Sequence, residues 1–240
     1  MKRSYKACLT AFGYIIIMAI GMFISHHVFG YDYSSIELAK VLVYFELIMT
    51  LFASYVYWHF FKRSFFKIKV TKWFVPFAVM LLLVVIQFVL TGTFNENRVL
   101  LWINLFMTFF VGFSEELVFR EIVLQSLIYD LGVKKALVIS SLLFASLHIV
   151  NFFAGLSVIE VLVQVVVTFI SGLVFACVVI NLDSIIPMFL YHWIWDFMLI
   201  VLPITKSDIS NLTSVVLILE VLMVVPIFIF TVKNYDQNHS

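Results

Sequence analysis

Residues 99–128 read VLLWINLFMTFFVGFSEELVFREIVLQSLI. An uncharged apolar run leads into Ser114-Glu115-Glu116-Leu117-Val118-Phe119-Arg120-Glu121, and a second apolar stretch follows. A helix needs about 20 apolar residues to cross the hydrocarbon of a bilayer, and this segment is long enough. A charge at the bilayer centre costs about 2.5–3.5 kcal/mol on insertion scales, so four facing lipid would cost on the order of 10 kcal/mol. The four must therefore face protein, water or one another. The stretch reads as a membrane helix that carries its charges inward.

The rest of the chain agrees. Of 240 residues, 64% are hydrophobic and 12% charged, and the mean hydropathy is +1.12. A soluble domain has about 45–50% apolar residues and about 25% charged ones. So few charges could not cover this much apolar surface in water. The composition also excludes disordered, collagen-like, coiled-coil and disulfide-scaffold classes. A net charge of +1 gives no basic field, so no nucleic-acid partner is expected.

Apolar runs of spanning length fall near 7–29, 37–61, 73–91, 99–128, 135–150, 158–180, 184–202 and 213–232. The expected fold is all-α: a polytopic membrane protein with about eight transmembrane helices. The fourth span is long, and Gly112 predicts a tilt or break in it. Pro76 and Pro187 fall in first turns, Pro203 follows a span, and Pro226 predicts a kink in the last. With the N-terminus inside, Lys2, Arg3, Lys6, Lys62, Arg63, Lys67, Lys69, Lys72, Lys134, Lys135 and Lys233 are all cytoplasmic. Arg98 and Lys206 alone fall outside, while Lys40 and Arg120 lie within spans. That asymmetry predicts a multi-pass protein with both termini in the cytoplasm. The basic run Lys62–Lys72 reads as the anchor such an asymmetry provides, or as a site for anionic lipid or an acidic peptide.

Ionisable residues inside spans are the candidates for function. Glu116 and Arg120 are four apart and can pair on one helix face. Glu115 points about 100° away and stays free to act. The fifth span carries Phe144-Ala145-Ser146-Leu147-His148, with Asn151 just beyond; the seventh carries His192-Trp193-Ile194-Trp195-Asp196. His192 and Asp196 share a face one turn apart. Counted from the cytoplasmic end at 1.5 Å per residue, Glu115 lies about 21 Å deep, His148 about 20 Å, Asp196 about 18 Å and His192 about 12 Å. Polar groups on three helices at similar depth predict one composite site between helices 4, 5 and 7. Glu37 and Lys40 can pair at i,i+3, which leaves Glu46 in the same span as a structural residue. Glu160 and Glu220 could line a cavity. His26, His27 and His59 read as headgroup-level residues, and Trp193 and Trp195 as groups flanking the site.

Two chemistries suit that set. Histidines and carboxylates can hold a divalent metal such as zinc and leave one position for water. Alternatively, a desolvated Glu can take a proton from water without metal, with a histidine or amide stabilising the oxyanion. Both hydrolyse a peptide or other acyl bond. No His-Glu-x-x-His, Gly-x-Ser-Gly or Gly-x-Gly-Asp occurs, so zincin, rhomboid-like and presenilin-like sites lack their signatures.

At these residues the sequence resembles the CAAX protease and bacteriocin-processing enzyme family, the abortive-infection group of intramembrane metalloprotease-like proteins. Its motifs Glu-Glu-x-x-x-Arg, Phe-x-x-x-His and His-x-x-x-Asn/Asp read here as Glu115-Glu116-x-x-x-Arg120, Phe144-x-x-x-His148 and His192-x-x-x-Asp196. The resemblance covers roughly 99–200. It implies a catalytic set of Glu115, Glu116, Arg120, His148, His192 and Asp196. Glu115 would activate water beside His148, Glu116 and Arg120 would support the geometry, and His192 with Asp196 would complete a metal or oxyanion subsite. The family is read both as zinc-dependent and as glutamate-driven. Glu115, His148 and His192 are the ligands a zinc ion would take. Prenyl-protein endopeptidases of eukaryotic type end the third motif in Asn. Asp196 departs from that pattern and argues against a prenylated CAAX substrate and a neutral amide oxyanion donor, and the compact chain also looks more like the bacterial branch. Members there process peptide pheromones or bacteriocins, confer self-immunity or regulate membrane proteins.

The expected organisation is three N-terminal helices over 1–98, a catalytic core over 99–202, and a last helix with a cytoplasmic tail over 203–240. The expected partners are the lipid bilayer and a membrane-associated peptide or small protein, in a bacterial cell membrane. A non-proteolytic immunity or scaffold protein is the alternative. A proton- or metal-coupled transporter is a third, without an inverted repeat to support it.

Overall fold

The computed structural model describes residues 2–62, 69 and 71–239. Much of the basic run Lys62–Lys72, including Arg63 and Lys67, lies outside the described residues. Among those described there is no strand. A backbone surrounded by hydrocarbon must satisfy its N–H and C=O groups internally, and helices do so within one segment.

The helices are α1 (Arg3–His27), α2 (Ala39–Val56, ending in a π turn, Tyr57–Phe61), α3 (Val75–Thr91), α4 (Arg98–Glu115), α5 (Gln125–Leu131), α6 (Val133–Leu147), α7 (Val158–Leu182), α8 (Ile186–Thr205) and α9 (Ser210–His239). A π-helical segment, Glu116–Leu124, joins α4 to α5 in one rod from Arg98 to Leu131. A 3₁₀ turn, His148–Ala154, extends α6. Gly132, at φ +80°, ends the long rod in a conformation that costs a glycine little. Ser157 and Glu160 form a capping box that starts α7.

Among the described residues six helices are long and apolar enough to cross a membrane: α1, the α4–α5 rod, α6 with its 3₁₀ turn, α7, α8 and α9. The chain is a multi-pass membrane protein. The other two expected spans are also helical. However, α3 is a shorter apolar helix of 17 residues, and α2 carries Lys40 and Glu46.

With the α4–α5 rod counted as one helix, consecutive helices run in alternate directions, as contacts between their ends show. At one end the Ser4 N–H donates to Asp130 (2.8 Å), Arg3 lies over the Phe61 ring, and the Lys69 N–H donates to the Leu182 carbonyl. At the other end the Tyr33 N–H donates to Ala154, and the Thr93 N–H to Thr205. Lys206 pairs there with Glu96 at 3.1 Å. Within this bundle α4 packs between α2 and α8, and α6 lies against α7. All nine residues of the π segment are buried.

Two local expectations are corrected. The fourth span does not break at Gly112. A Cβ there would lie 3.0 Å from the Trp193 backbone nitrogen, so the glycine lets α4 and α8 touch instead of interrupting a helix. Pro203 lies inside α8 rather than beyond it; so close to the end, a proline costs few helical bonds. α9 passes through Pro226 as one helix.

Candidate active site

Glu115 is the last residue of α4, and Glu116 opens the π segment. π segments are rare and occur often at functional sites, because the wider turn rotates the side chains that follow. Arg120 and Glu116 still meet: Nε lies 3.5 Å from Oε2, and both side chains are fully buried. The Arg120 guanidinium also sits 4.2 Å above the Phe144 ring, a cation–π contact with α6. The Ser140 hydroxyl, also on α6, donates to the Phe119 carbonyl at 2.7 Å and ties the π segment to that helix.

His192 comes from α8. Its Nδ1 lies 3.3 Å from Oε1 of Glu116. Its Nε2 lies 3.3 Å from Asp196 Oδ2 and 3.9 Å from Glu115 Oε2. One imidazole thus links all three carboxylates, and through Glu116 it reaches Arg120. The ring is held by aromatic edges as well: Phe144 at 6.1 Å and Phe175 at 5.8 Å between centroids. His148 lies where α6 tightens into its 3₁₀ turn, and its ring is 5.6 Å from that of Phe144.

Glu115, His148, His192 and Asp196 line one cavity of about 180 Å³. It is walled further by Glu46 of α2, Asn104 of α4, Asn151 and apolar side chains, and it extends to Tyr33 and Ser35 between α1 and α2. A polar cavity of this size holds several waters. Along its wall Asn151 donates to Gln164 (2.9 Å) and Gln164 to the Tyr33 hydroxyl (2.8 Å). Beside Glu115, the Ser114 and Tyr14 hydroxyls share a hydrogen bond of 2.7 Å.

The structure therefore brings together all six residues singled out in the sequence, through α4 and its π segment, α6 and α8. Among the described residues, however, no group of three or more His, Cys, Asp or Glu side chains is gathered as a metal-binding set. Nε2 of His192 faces Glu115 and Asp196 and Nδ1 faces Glu116, and Glu115, His148 and His192 are not gathered around one point as a zinc ion would need.

Other candidates lie elsewhere. Glu37 pairs with Lys40 at 3.5 Å, Glu160 caps α7, and Glu220 accepts from Ser171. Trp193 donates to the Leu105 carbonyl, and Trp195 stacks on Tyr191. None of these lines the cavity, nor do His26, His27 and His59. Glu46 and Asn104, by contrast, do line it. The sequence carries a signal for Glu46: positions 42, 43, 49 and 50 are Leu, Val, Met and Thr, so no cation stands one turn away to neutralise it.

Residues 97–198 match the family model Rce1-like, described as type II CAAX prenyl endopeptidase Rce1-like. This segment is similar to the core of that family. It runs from the start of α4 into α8 and contains every one of the six clustered residues, whereas Glu46 and Tyr14 lie before it. Comparison with curated proteins and with solved structures gives no match. The likeness thus rests on the matched segment, which contains the three motifs.

Proposed function

We propose that the chain is an intramembrane endopeptidase in which Glu115 activates water for attack on a peptide bond. Glu115 faces the cavity and is held 3.9 Å from His192, whose two nitrogens are fixed by carboxylates on either side. That convergence, in a cavity roomy enough for water, is the observation that carries the reading. Glu115 takes a proton from water as the oxygen attacks the substrate carbonyl. His148, which lines the same cavity, stabilises the oxyanion that forms. The C–N bond then breaks, and the leaving amine takes the proton from Glu115. His192, with Asp196, orients Glu115, and the Glu116–Arg120 pair holds His192 in place. No step passes through a metal.

The substrate is a membrane-associated peptide or small protein, reached from a bilayer that the helices span. The distribution of its Lys and Arg residues supports both termini lying in the cytoplasm, and the likeness to the bacterial branch of the family supports a bacterial cell membrane. Maturation of a peptide pheromone or bacteriocin, or self-immunity, is the matching role. The test is comparative peptidomics of cells carrying the native chain or Glu115→Gln. A peptide whose mature form disappears with the substitution, while the protein accumulates normally, supports the reading. Identical peptidomes would favour a binding-only immunity or scaffold protein.

A further inference from the structure

Glu46 lies in the middle of α2, outside the CAAX-type core. It is fully buried (0% exposed), and neither carboxyl oxygen has a hydrogen-bond partner among the described residues. Asn104, on α4, is also 0% exposed. Its amide nitrogen donates to the Leu100 carbonyl at 2.9 Å, while its Oδ1 has no partner among the described residues. Both residues line the cavity that holds Glu115. Buried polar groups in folded proteins are paired almost without exception, so unpaired oxygens on a cavity wall imply something that fills the cavity and donates to them.

A peptide drawn from the membrane supplies such donors. Around a bond to be cut it must leave its helix, and every N–H so released needs a new acceptor in a place with little water. Asn104 lies eleven residues before Glu115 on one rod, about 16 Å along its axis. An extended peptide covers that distance with about five residues. The geometry points to Glu46 and Asn104 as a subsite that accepts backbone N–H groups of the unwound substrate and sets its register against Glu115. This rests on the hydrolase reading above. Glu46 and Asn104 are positioning residues and take no part in bond making.

The test measures binding without cleavage. The full chain carrying Glu115→Gln, in nanodiscs, is exposed to a pooled library of N-acetylated decapeptides, and the retained peptides are identified by mass spectrometry. Adding Glu46→Leu lowers retention roughly tenfold, the weight of one or two buried hydrogen bonds. Adding Glu46→Gln, which keeps one acceptor oxygen and the side-chain shape, lowers it distinctly less. Equal melting temperatures of the three proteins exclude a folding effect. If Glu46→Leu leaves retention unchanged, the oxygens face only water and the subsite is wrong. Equal losses in both Glu46 variants, or no peptide retained by Glu115→Gln, also overturn it. Retained peptides that the native chain never cleaves would leave the subsite standing and refute the hydrolase.

Discussion

Nδ1 of His192 lies 3.3 Å from Oε1 of Glu116, a residue 76 positions earlier in the chain. The same carboxylate meets Arg120 through its other oxygen at 3.5 Å. Glu116 therefore couples the π segment to α8. Glu116→Gln keeps the shape but loses the ion pair. Turnover should fall roughly 10–100-fold, the scale seen when a partner that orients an active group is lost. KM should change little, and steady-state kinetics would separate the two effects.

Arg120 is the guanidinium paired with Glu116, and it has no exposed surface. Arg120→Ala should cost about 3–5 kcal/mol, because it strands a buried carboxylate. Low accumulation and a lower melting temperature in detergent are the expected signs. Arg120→Ala combined with Glu116→Leu should recover part of that stability without recovering activity.

Gly112 sits where α4 meets the α8 backbone. A Cβ would lie 3.0–3.1 Å from the Trp193 N and Cα atoms, and backbone cannot step aside as a flexible side chain can. Gly112→Ala should cost about 1–3 kcal/mol as overpacking. It should also widen the 3.9 Å separation of Glu115 and His192, so activity should fall more than stability alone explains. Comparing residual activity with the folded fraction at one temperature checks this.

No metal-binding set is gathered among the described residues. Incubation with a chelator followed by desalting should leave peptide hydrolysis unchanged. Loss of activity that zinc restores would show that the side chains rearrange to bind it.

Much of this is legible in the sequence because lipid makes charge placement costly. Four charges between Glu115 and Glu121 cannot face hydrocarbon, and that alone points to a buried site. The Glu116–Arg120 pair follows from i,i+4 spacing and persists in the structure. Helical depth counts place Glu115, His148 and Asp196 at similar levels, and all three line one cavity. The π segment is not legible, since periodicity assumes 3.6 residues per turn throughout. Gly112 misleads because a missing Cβ serves helix contact as readily as helix breakage. Glu46 looks structural beside Glu37 and Lys40, although Lys40 is too far along the helix to reach it. Its place in the cavity depends on how α2 meets α4, which no pattern within α2 encodes.

The most direct measurement uses the peptide found by comparative peptidomics, with purified native chain and Glu115→Gln in nanodiscs in ¹⁸O-water. The native chain should release a product whose new C-terminal carboxylate carries one ¹⁸O atom. Glu115→Gln, equally folded, should release it at least about 100-fold more slowly, the loss expected on removing a general base. Cleavage by Glu115→Gln at the native rate would contradict the central role given to this carboxylate.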